Sequence, residues 1–478
     1  MLKRTKIVAT ISDARATVDF IRQLEDAGVD VVRLNTAHQE VEQALELVEM
    51  VRSVSDRLGI LVDTKGPEIR TSKHGEPLEV KSGMPIQVIG DPEGVSGDGT
   101  LFVSYRDIAS VVPLGASILI DDGEIELVVT GKKDGSLVCF PQNEGVIKNR
   151  KSVNVPNVEI DLPALSDKDK RFLKLCAEKE IDFVAHSFVR TADDVQAVQR
   201  ELDRYGASTK IIAKIENQQG VDNIDAILGH VHGVMVARGD LGIEIPEERV
   251  PAVQRMIVKK CVEAKKPVII ATQMLHSMIE NPRPTRAEIS DVASAIYQRS
   301  DAVMLSGETA YGKYPIEAVR TMARIAAEIE PHLEPLVGLQ LMRVQNKITE
   351  TLARATVEAC LSLPVKAIVI DTLSGRTARY LAAFRGFIPI YAMCYRPEVT
   401  RQLSLSYGVE AMTTEPRGSR DQFLADSLCR LHKAGKFGLN DLIVVVGGSF
   451  GPSNGATFME IGEVKHIMAC PMPHGDGE

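Results

Sequence analysis

The sequence predicts an α/β protein: a (β/α)8 TIM barrel with an inserted small β-barrel domain and a C-terminal α/β domain. Eight short apolar runs alternate with segments of helical periodicity, and polar or charged residues follow each run directly. A barrel enzyme builds its active site where the parallel strands end, so this placement of polar residues favours that fold. The runs begin at Ile7, Val31, Ile60, Phe183, Ile211, Val234, Val268 and Val303.

The first half of the barrel is predicted from alternating strand and helix patterns. We expect strands over 6–11, 31–36 and 60–65, with helices over about 15–27 and 39–57 between them. From Thr71 to about Asn154 the helical pattern is lost, and short β-like runs are separated by Gly-Asp, Asp-Gly and Pro turns. The expected barrel therefore comprises residues 1–70 and 155–335, with a β lid domain inserted at 71–154.

A third unit is predicted after Glu330-Pro-His-Leu-Glu-Pro335, where the barrel pattern ends. A helical segment over about 345–362 is followed by β-like runs at 367–370, 388–393, 442–446 and 467–470. Their alternation indicates an α/β domain over 336–478, which is within the usual range of domain sizes.

Composition limits the classes of protein that this chain can belong to. A length of 478 residues with 44% hydrophobic residues indicates several well-buried domains. The net charge of -9 and the absence of a basic stripe argue against a nucleic-acid partner, while a local cationic pocket for a phosphorylated small molecule stays possible. Seven separated cysteines without a CxxC pair predict reduced thiols rather than a disulfide framework or a zinc site.

The chain shows no pattern typical of a membrane protein or a secreted one. The apolar stretch near the amino terminus is short and is followed by Asp13 and Arg15, so we expect no signal peptide. No apolar run approaches the ~18 residues that a membrane-spanning helix needs. We therefore expect a cytoplasmic protein without a membrane partner.

Lys214 and Glu216 form the most specific candidate functional pair. They lie two residues apart on a predicted strand and so share one face, and Asp240 ends the next strand. Two carboxylates at one barrel mouth favour a shared Mg²⁺ or Mn²⁺ ion, beside which a lysine suits a transferring phosphoryl group. A Lys-x-Glu sequence alone is more often a structural ion pair. Polar residues at neighbouring strand ends favour an active site instead: Thr272, Ser306 and Glu308.

Three further positions have two readings each. Arg33 shares a strand face with Asn35 and either holds a phosphate group or forms a surface salt bridge. Arg70 stands where the barrel leads into the inserted domain, and it either meets a substrate there or is a solvated charge. The glycines of Arg238-Gly-Asp-Leu-Gly242 either let backbone N–H groups approach an anion or simply allow a strand-to-helix turn.

Other motifs are assigned by local pattern. The segment Thr372–Thr377 joins a strand to a helix with hydroxyls, a glycine and an arginine, which is typical of a phosphate site or of ordinary helix capping. Thr285 and Glu288 have the spacing of a structural capping box. The pair His230 and His232 has no third ligand nearby in the sequence, so we assign no histidine to a metal.

Taken together, the ordered motifs of this chain resemble those of the pyruvate kinase family over essentially its whole length. The most specific segments are Asp63–Thr71, Asp161–Ser166, Ile212–Asn217, Val234–Gly242, Ala271–Leu275, Pro282–Glu288 and Met304–Thr309. The resemblance implies phosphoryl transfer from phosphoenolpyruvate to ADP, the last step of glycolysis, followed by protonation of the enolate to pyruvate. It also implies a homotetramer.

The resemblance further implies a role for each matching residue. The catalytic and substrate-binding residues are Lys214 for the transferring phosphoryl group, Arg33 for the phosphate, Gly239, Asp240 and Thr272 for the substrate carboxylate, and Ser306 and Glu308 for a proton relay. The implied metal ligands are Glu216 and Asp240 for Mg²⁺, and Asn35, Asp63 and Thr64 for K⁺. Arg70 and Lys151 reach the nucleotide phosphates, and the inserted domain acts as a lid.

Regulation is implied by the same resemblance. The effector phosphate site corresponds to Thr372, Ser374, Gly375, Arg376 and Thr377, and the loop 447–455 closes over it. The expected effector is a phosphorylated sugar or nucleotide.

Several positions depart from the family pattern. Ala37 stands where the family has a serine that binds K⁺, so we expect K⁺ to be bound more weakly, while Glu68 matches the K⁺-dependent type. Ser12–Ala14 and Gln298–Ser300 also differ from the family pattern. These departures leave two alternatives open: a metal-dependent lyase or aldolase acting on an enolpyruvate, and a non-catalytic sensor of phosphoenolpyruvate.

Overall fold

The computed structural model describes residues 3–36, 39–74, 77–416, 419–448 and 455–468. Eight parallel strands close into a barrel in which each strand pairs with its neighbours in sequence, as the apolar runs predict. Strands 31–36 and 60–65 are shorter than expected, because the chain turns out of the barrel after Leu34 and Asp63. The barrel strands are Lys6–Ile11, Val31–Leu34, Gly59–Asp63, Phe183–His186, Lys210–Ile215, Gly233–Ala237, Val268–Ala271 and Ala302–Leu305.

Helices surround the barrel and bury the apolar side chains that alternate along each strand. Branched side chains such as Val8, Leu61 and Ile212 fill the barrel interior, while a larger cluster lies between strands and helices. The helices are Val18–Ala27, Val41–Val54, Asp167–Glu178, Ala192–Arg204, Gln218–Asp222, Ile224–Ile227, Arg238–Glu244, Val250–Glu263, Arg286–Tyr297, Gly307–Ala310 and Pro315–Ile329. The capping box of Thr285 and Glu288 is confirmed at the start of Arg286–Tyr297.

The inserted segment folds as a small β-barrel. Its seven-stranded sheet has Ile69–Arg70 at one edge and Thr100–Val103 at the other, and a bridge between Thr71 and Val103 joins the two edges. A short helix, Ile108–Val111, lies within it. The strands of the segment are Ile69–Arg70, Lys73–His74, Leu78–Val80, Ile86–Gly90, Val95–Ser96, Thr100–Val103, Ser117–Ile120, Ile125–Lys133, Ser136–Pro141, Gly145–Ile147 and Ser152–Asn154.

The C-terminal part is a five-stranded sheet with helices Lys347–Ser362, Arg376–Ala383, Pro397–Gln402, Arg420–Lys433 and Val464–Ile467. In sheet order the strands are Val409–Thr413, Ile390–Cys394, Val365–Thr372, Leu442–Gly447 and Phe458–Glu463, and the last one is antiparallel to its neighbour.

The predicted strand at 467–470 is wrong, because Ile467 ends a helical turn and residues 469–470 lie outside the described part. The sheet instead uses two edge strands, 409–413 and 458–463, that the sequence pattern missed. Their half-exposed side chains lack the apolar run of a central strand.

Two general expectations about the chain bear on its chemistry. Among the described residues, no helix is long and apolar enough to cross a bilayer. The six cysteines in the described part are all free, as the prediction of reduced thiols requires. The domain limits at 70, 155 and 336 stay predictions.

Candidate active site

The strand Lys210–Ile215 presents Lys214 at the mouth of the barrel, and Glu216 follows directly. Lys214 Nζ lies 2.9 Å from Glu216 Oε1 and 3.4 Å from Asp63 Oδ2, and it donates a hydrogen bond of 2.8 Å to Ser187 Oγ. Lys214 is 9% exposed and Glu216 is fully buried. The expected pairing of these two side chains is therefore present, and it is enclosed by residues from two further strands.

The charges at this mouth shift one another's proton affinity. Burial alone lowers the pKa of Lys214, but the carboxylates of Glu216, Asp63 and Asp240 outweigh it and raise that pKa above its usual value. Burial raises the pKa of Glu216, and the nearby Asp240 carboxylate adds to the rise while Lys214 opposes it. Glu216 is thus a carboxylate that an added cation would stabilise.

The oxygens of Glu216 have unequal partners. Oε2 accepts a hydrogen bond of 2.6 Å from the Phe188 amide, whereas the buried Oε1 has no further polar partner besides its ion pair of 2.9 Å with Lys214 Nζ. An orphaned carboxylate oxygen near Asp240 fits a hard divalent cation. Within the described ranges, no group of three or more His, Cys, Asp or Glu side chains is placed to hold a metal ion.

Arg33 forms a buried ion pair at the same mouth rather than a surface salt bridge. Its Nε donates to Asp63 Oδ1 at 2.9 Å, its Nη2 donates to Asp63 Oδ2, and its Nη1 donates to Thr10 Oγ1 at 3.0 Å. Burial alone raises the pKa of Asp63, but Arg33 and Lys214 outweigh it and hold that pKa below its usual range. Arg33 and Lys214 therefore flank one carboxylate and face the same mouth.

The oxygens expected at a K⁺ site already have protein partners. Thr64 Oγ1 lies 3.0 Å from His186 Nδ1 and accepts a hydrogen bond of 3.1 Å from the Ser187 amide. Burial lowers the pKa of His186 to about 4, so its ring is neutral near pH 7. Ala37 lies outside the described residues. Ser187 follows the apolar run that begins at Phe183, but no pattern in the sequence indicates that Ser187 and His186 contact Thr64.

Thr272 adopts an unusual backbone conformation after its strand. Its φ of +68° lies in the left-handed region, which a β-branched residue rarely adopts. The Gly239 amide donates a hydrogen bond of 2.9 Å to Thr272 Oγ1, and Arg238 Nη2 donates one of 2.6 Å to the Thr272 carbonyl. Arg238 also pairs with Asp291 at 2.7 Å. Arg238, which the sequence analysis left without a role, therefore braces this turn.

Glu308 connects two loops at the mouth. It is 2% exposed, its Oε1 accepts from the Leu275 amide at 3.1 Å, and its Oε2 accepts from the Ser306 amide at 2.8 Å. These bonds hold the loop after Thr272 against the loop that contains Ser306. The structure therefore brings Ser306 and Glu308 together through the backbone.

A cleft separates the barrel mouth from the inserted domain, with a volume of about 720 Å³. Its lining includes Asn35, Asp240 and Arg70. Arg70 Nε lies 2.7 Å from Glu68 Oε1, and Lys151 Nζ lies 2.7 Å from Asp121 Oδ1. Both predicted nucleotide-binding side chains are thus held in ion pairs at the lid, and the volume is typical of a small-molecule site.

The predicted effector segment forms a tight turn before the helix Arg376–Ala383. The Gly375 amide donates a hydrogen bond of 2.9 Å to Thr372 Oγ1, and Gly375 has a φ of +73°. Thr372 and Thr377 are buried, and Ser374 is exposed. The Thr372 hydroxyl therefore supports the turn, while the N-cap residue of the helix is Gly375, which has no side-chain capping bond. Most of the loop 447–455 lies outside the described residues.

Comparisons with known proteins bear on this arrangement. The family model described as pyruvate kinase, barrel domain, matches residues 2–319, and the model described as pyruvate kinase, alpha/beta domain, matches residues 350–461. Among curated relatives, the pyruvate kinase of Borreliella burgdorferi is 43% identical over 468 residues, covering 97% of this chain and 98% of that protein. The pyruvate kinase of Clostridium acetobutylicum is 40% identical, covering 94% of this chain and 96% of its own length.

A solved structure agrees with these relatives. The crystal structure of a pyruvate kinase from Cryptosporidium parvum matches with a TM-score of 0.91 and 33% identity, covering 97% of this chain and 96% of that one. Both family models and nearly full-length relatives therefore agree with the closed barrel and its polar mouth. The chain belongs to the pyruvate kinase family and is an enzyme of the phosphotransferase class.

Proposed function

We propose that this enzyme transfers the phosphoryl group of phosphoenolpyruvate to ADP and forms pyruvate and ATP. The observation that carries the proposal is the buried group of Arg33, Asp63, Lys214 and Glu216 at the barrel mouth, in which one oxygen of Glu216 has no hydrogen-bond partner. Two cations beside an unsatisfied carboxylate suit a phosphate group that arrives with a divalent ion.

The chain's own residues bind and orient the substrate. Lys214 contacts the phosphoryl group in transfer. Its raised pKa keeps the amine protonated, so it brings a positive charge to that group. Arg33 holds the same phosphate. Thr272 and the backbone at Gly239 and Asp240 hold the substrate carboxylate. When bound by Glu216 and Asp240, Mg²⁺ or Mn²⁺ supplies charge neutralisation at the phosphate oxygens.

The lid and the proton relay complete the proposed site. Closure of the inserted domain brings Arg70 and Lys151 to the nucleotide phosphates and excludes water. Their present partners, Glu68 and Asp121, are exchanged for phosphate oxygens in that step. Ser306, with Glu308 holding its loop, relays a proton to the enolate.

Weak K⁺ dependence and allosteric control are part of the same proposal. Asn35, Asp63 and Thr64 bind K⁺, and Ala37 supplies no hydroxyl, so binding is weaker than in a site with serine. A phosphorylated effector binds at Thr372–Thr377 on a homotetramer in the cytoplasm.

The test is pyruvate formation from phosphoenolpyruvate and ADP with Mg²⁺, in parallel K⁺ and Na⁺ buffers. We expect the wild type to be active and Lys214→Met to lose activity by orders of magnitude, with higher activity in K⁺. Equal activity in both salts would refute the K⁺ site. Binding of phosphoenolpyruvate without turnover would favour a non-catalytic sensor over a kinase. Failure to bind ADP would favour a lyase or aldolase.

A further inference from the structure

A second group of cations lies far from the mouth, between the barrel and the C-terminal sheet. A pocket there is lined by Lys265, Lys266, Arg379, Arg385 and Asp301 among others. Lys265 and Lys266 come just before the barrel strand Val268–Ala271, and Arg379 lies on the helix Arg376–Ala383. The pocket therefore joins two parts of the chain that are distant in sequence.

The single carboxylate of this pocket is already neutralised. Arg385 Nη2 lies 2.6 Å from Asp301 Oδ2, and Arg385 Nη1 donates to Asp301 Oδ1 at 3.0 Å. In the part of the chain that the structure describes, no carboxylate lies within 4.0 Å of Lys265, Lys266 or Arg379. Of the four lining cations, one is ion-paired, and the other three form no ion pair with the described residues.

Each of these three cations donates to a carbonyl oxygen, and Lys265 Nζ also lies 5.2 Å from the centre of the Tyr380 ring. Lys265 Nζ donates to the Met342 carbonyl, Lys266 Nζ donates to the Val231 carbonyl at 2.5 Å, and Arg379 Nη1 donates to the Ser374 carbonyl at 3.2 Å. Burial lowers the pKa of Lys265 to about 8, with Glu350 opposing the shift and Arg343 adding to it. Burial, together with neighbouring positive charges, lowers the pKa of Lys266 to about 8 and of Arg379 to about 10. Carbonyl dipoles therefore do not replace a counter-ion here.

A fourth group in the pocket is a donor without an acceptor. Ser406 is 1% exposed, it lines the same pocket, and its Oγ has no hydrogen-bond partner. Buried hydroxyls nearly always have a partner, so an orphaned one beside these three cations indicates an acceptor that belongs there. An oxyanion supplies both the missing charge and the missing acceptor.

We propose that the pocket of Lys265, Lys266, Arg379 and Ser406 is a binding site for a small free oxyanion of the phosphate type. Because Arg379 also donates to the Ser374 carbonyl, an ion bound here ties the turn 372–377 to the barrel. This pocket is separate from the proposed mouth and from Arg376.

The test measures the midpoint of thermal unfolding of the full chain by circular dichroism, with sodium phosphate against sodium chloride at matched ionic strength. We expect a saturable rise with phosphate alone, as binding to the folded state requires. Calorimetric titration of phosphate should include one site per chain that depends on Arg379. In Arg379→Gln and Lys266→Gln, phosphate affinity should fall by about tenfold or more, since each loses a charge-assisted hydrogen bond.

Two matched variants locate the ion. Arg376→Gln changes the neighbouring arginine of the same helix, and Lys214→Met removes the lysine at the mouth, and both should keep the full phosphate effect. Without phosphate, Arg379→Gln should unfold no earlier than the wild type, because it relieves repulsion. Loss of this variant's stability in chloride would instead mark a structural arginine and overturn the proposal.

Three other results would also overturn it. One is the absence of any phosphate-specific rise in the wild type. Another is loss of the effect in Arg376→Gln or Lys214→Met while Arg379→Gln keeps it, which would put the ion at the turn or at the mouth. The third is a hexose phosphate that acts through Arg379 where inorganic phosphate does not, which would make the ligand a metabolite rather than a free ion.

Discussion

The backbone of Thr272 offers a test in which stability and activity separate. Its φ of +68° is a conformation that costs a non-glycine residue roughly 1–2 kcal/mol. Its hydroxyl accepts a hydrogen bond of 2.9 Å from Gly239, a contact worth about 1 kcal/mol. Thr272→Ala keeps the strained conformation and loses the hydrogen bond. Thr272→Gly also loses the hydrogen bond, but it relieves the strain.

The two variants should therefore differ in stability but not in activity. We expect Thr272→Gly to be more stable than Thr272→Ala by about 1 kcal/mol, because glycine adopts positive φ without strain. Both should lose activity by about tenfold or more, since each lacks the hydroxyl proposed to hold the substrate. Urea unfolding followed by circular dichroism gives the stability, and pyruvate formation gives the activity.

A buried threonine in ordinary helical conformation supplies the control. In the helix Pro315–Ile329, Thr321→Gly should be less stable than Thr321→Ala by about 1 kcal/mol, because glycine disfavours helices. At Thr272 the glycine variant should thus be the more stable of the two, and at Thr321 the alanine variant. An alanine variant at Thr272 as stable as the glycine variant, or more so, would refute the reasoning about strain.

Two further predictions concern ion pairs outside the mouth. Arg385→Met leaves the buried Asp301 carboxylate without its cation and should lower the free energy of unfolding by about 3–5 kcal/mol. Adding Asp301→Asn removes that unpaired charge and should restore much of the lost stability. A double variant that is no more stable than Arg385→Met would contradict this prediction. Burial alone raises the pKa of Asp194, but hydrogen bonds from Arg190 outweigh burial and lower that pKa. The Asp194 carboxylate therefore contributes its full stabilisation above its unfolded pKa of about 3.9, and this stabilisation is lost as the pH falls through the lower folded value. The stability difference between wild type and Asp194→Asn, measured from pH 6 to pH 3, should therefore shrink on acidification, and a constant difference would contradict the assignment.

Residue pattern predicted most of the barrel and the pairing of Lys214 with Glu216. Both follow from short-range rules, because strands of a parallel barrel are apolar runs and alternate residues of a strand share a face. The same rules failed at the edge of the C-terminal sheet. Strands 409–413 and 458–463 are half-exposed and carry polar side chains, so no apolar run marks them.

The contacts that complete the mouth were not predictable in the same way. His186, Ser187 and Arg238 touch functional candidates that are between 27 and 123 residues away in sequence. Nothing in the neighbourhood of each residue specifies its partner. Such contacts are fixed by which strands lie side by side once the barrel closes.

The sequence alone therefore determined the fold class, the order of the strands and the set of polar residues at their carboxyl ends, because periodicity is a local property of the chain. Only the tertiary structure decided which charges are neutralised. Asp63 is shared by Arg33 and Lys214, Asp301 is paired with Arg385, and Arg379 forms no ion pair with any carboxylate of the described ranges. The physical reason is that Coulomb energies depend on the distance between charges and on their burial, and both are set only when segments far apart in sequence pack together.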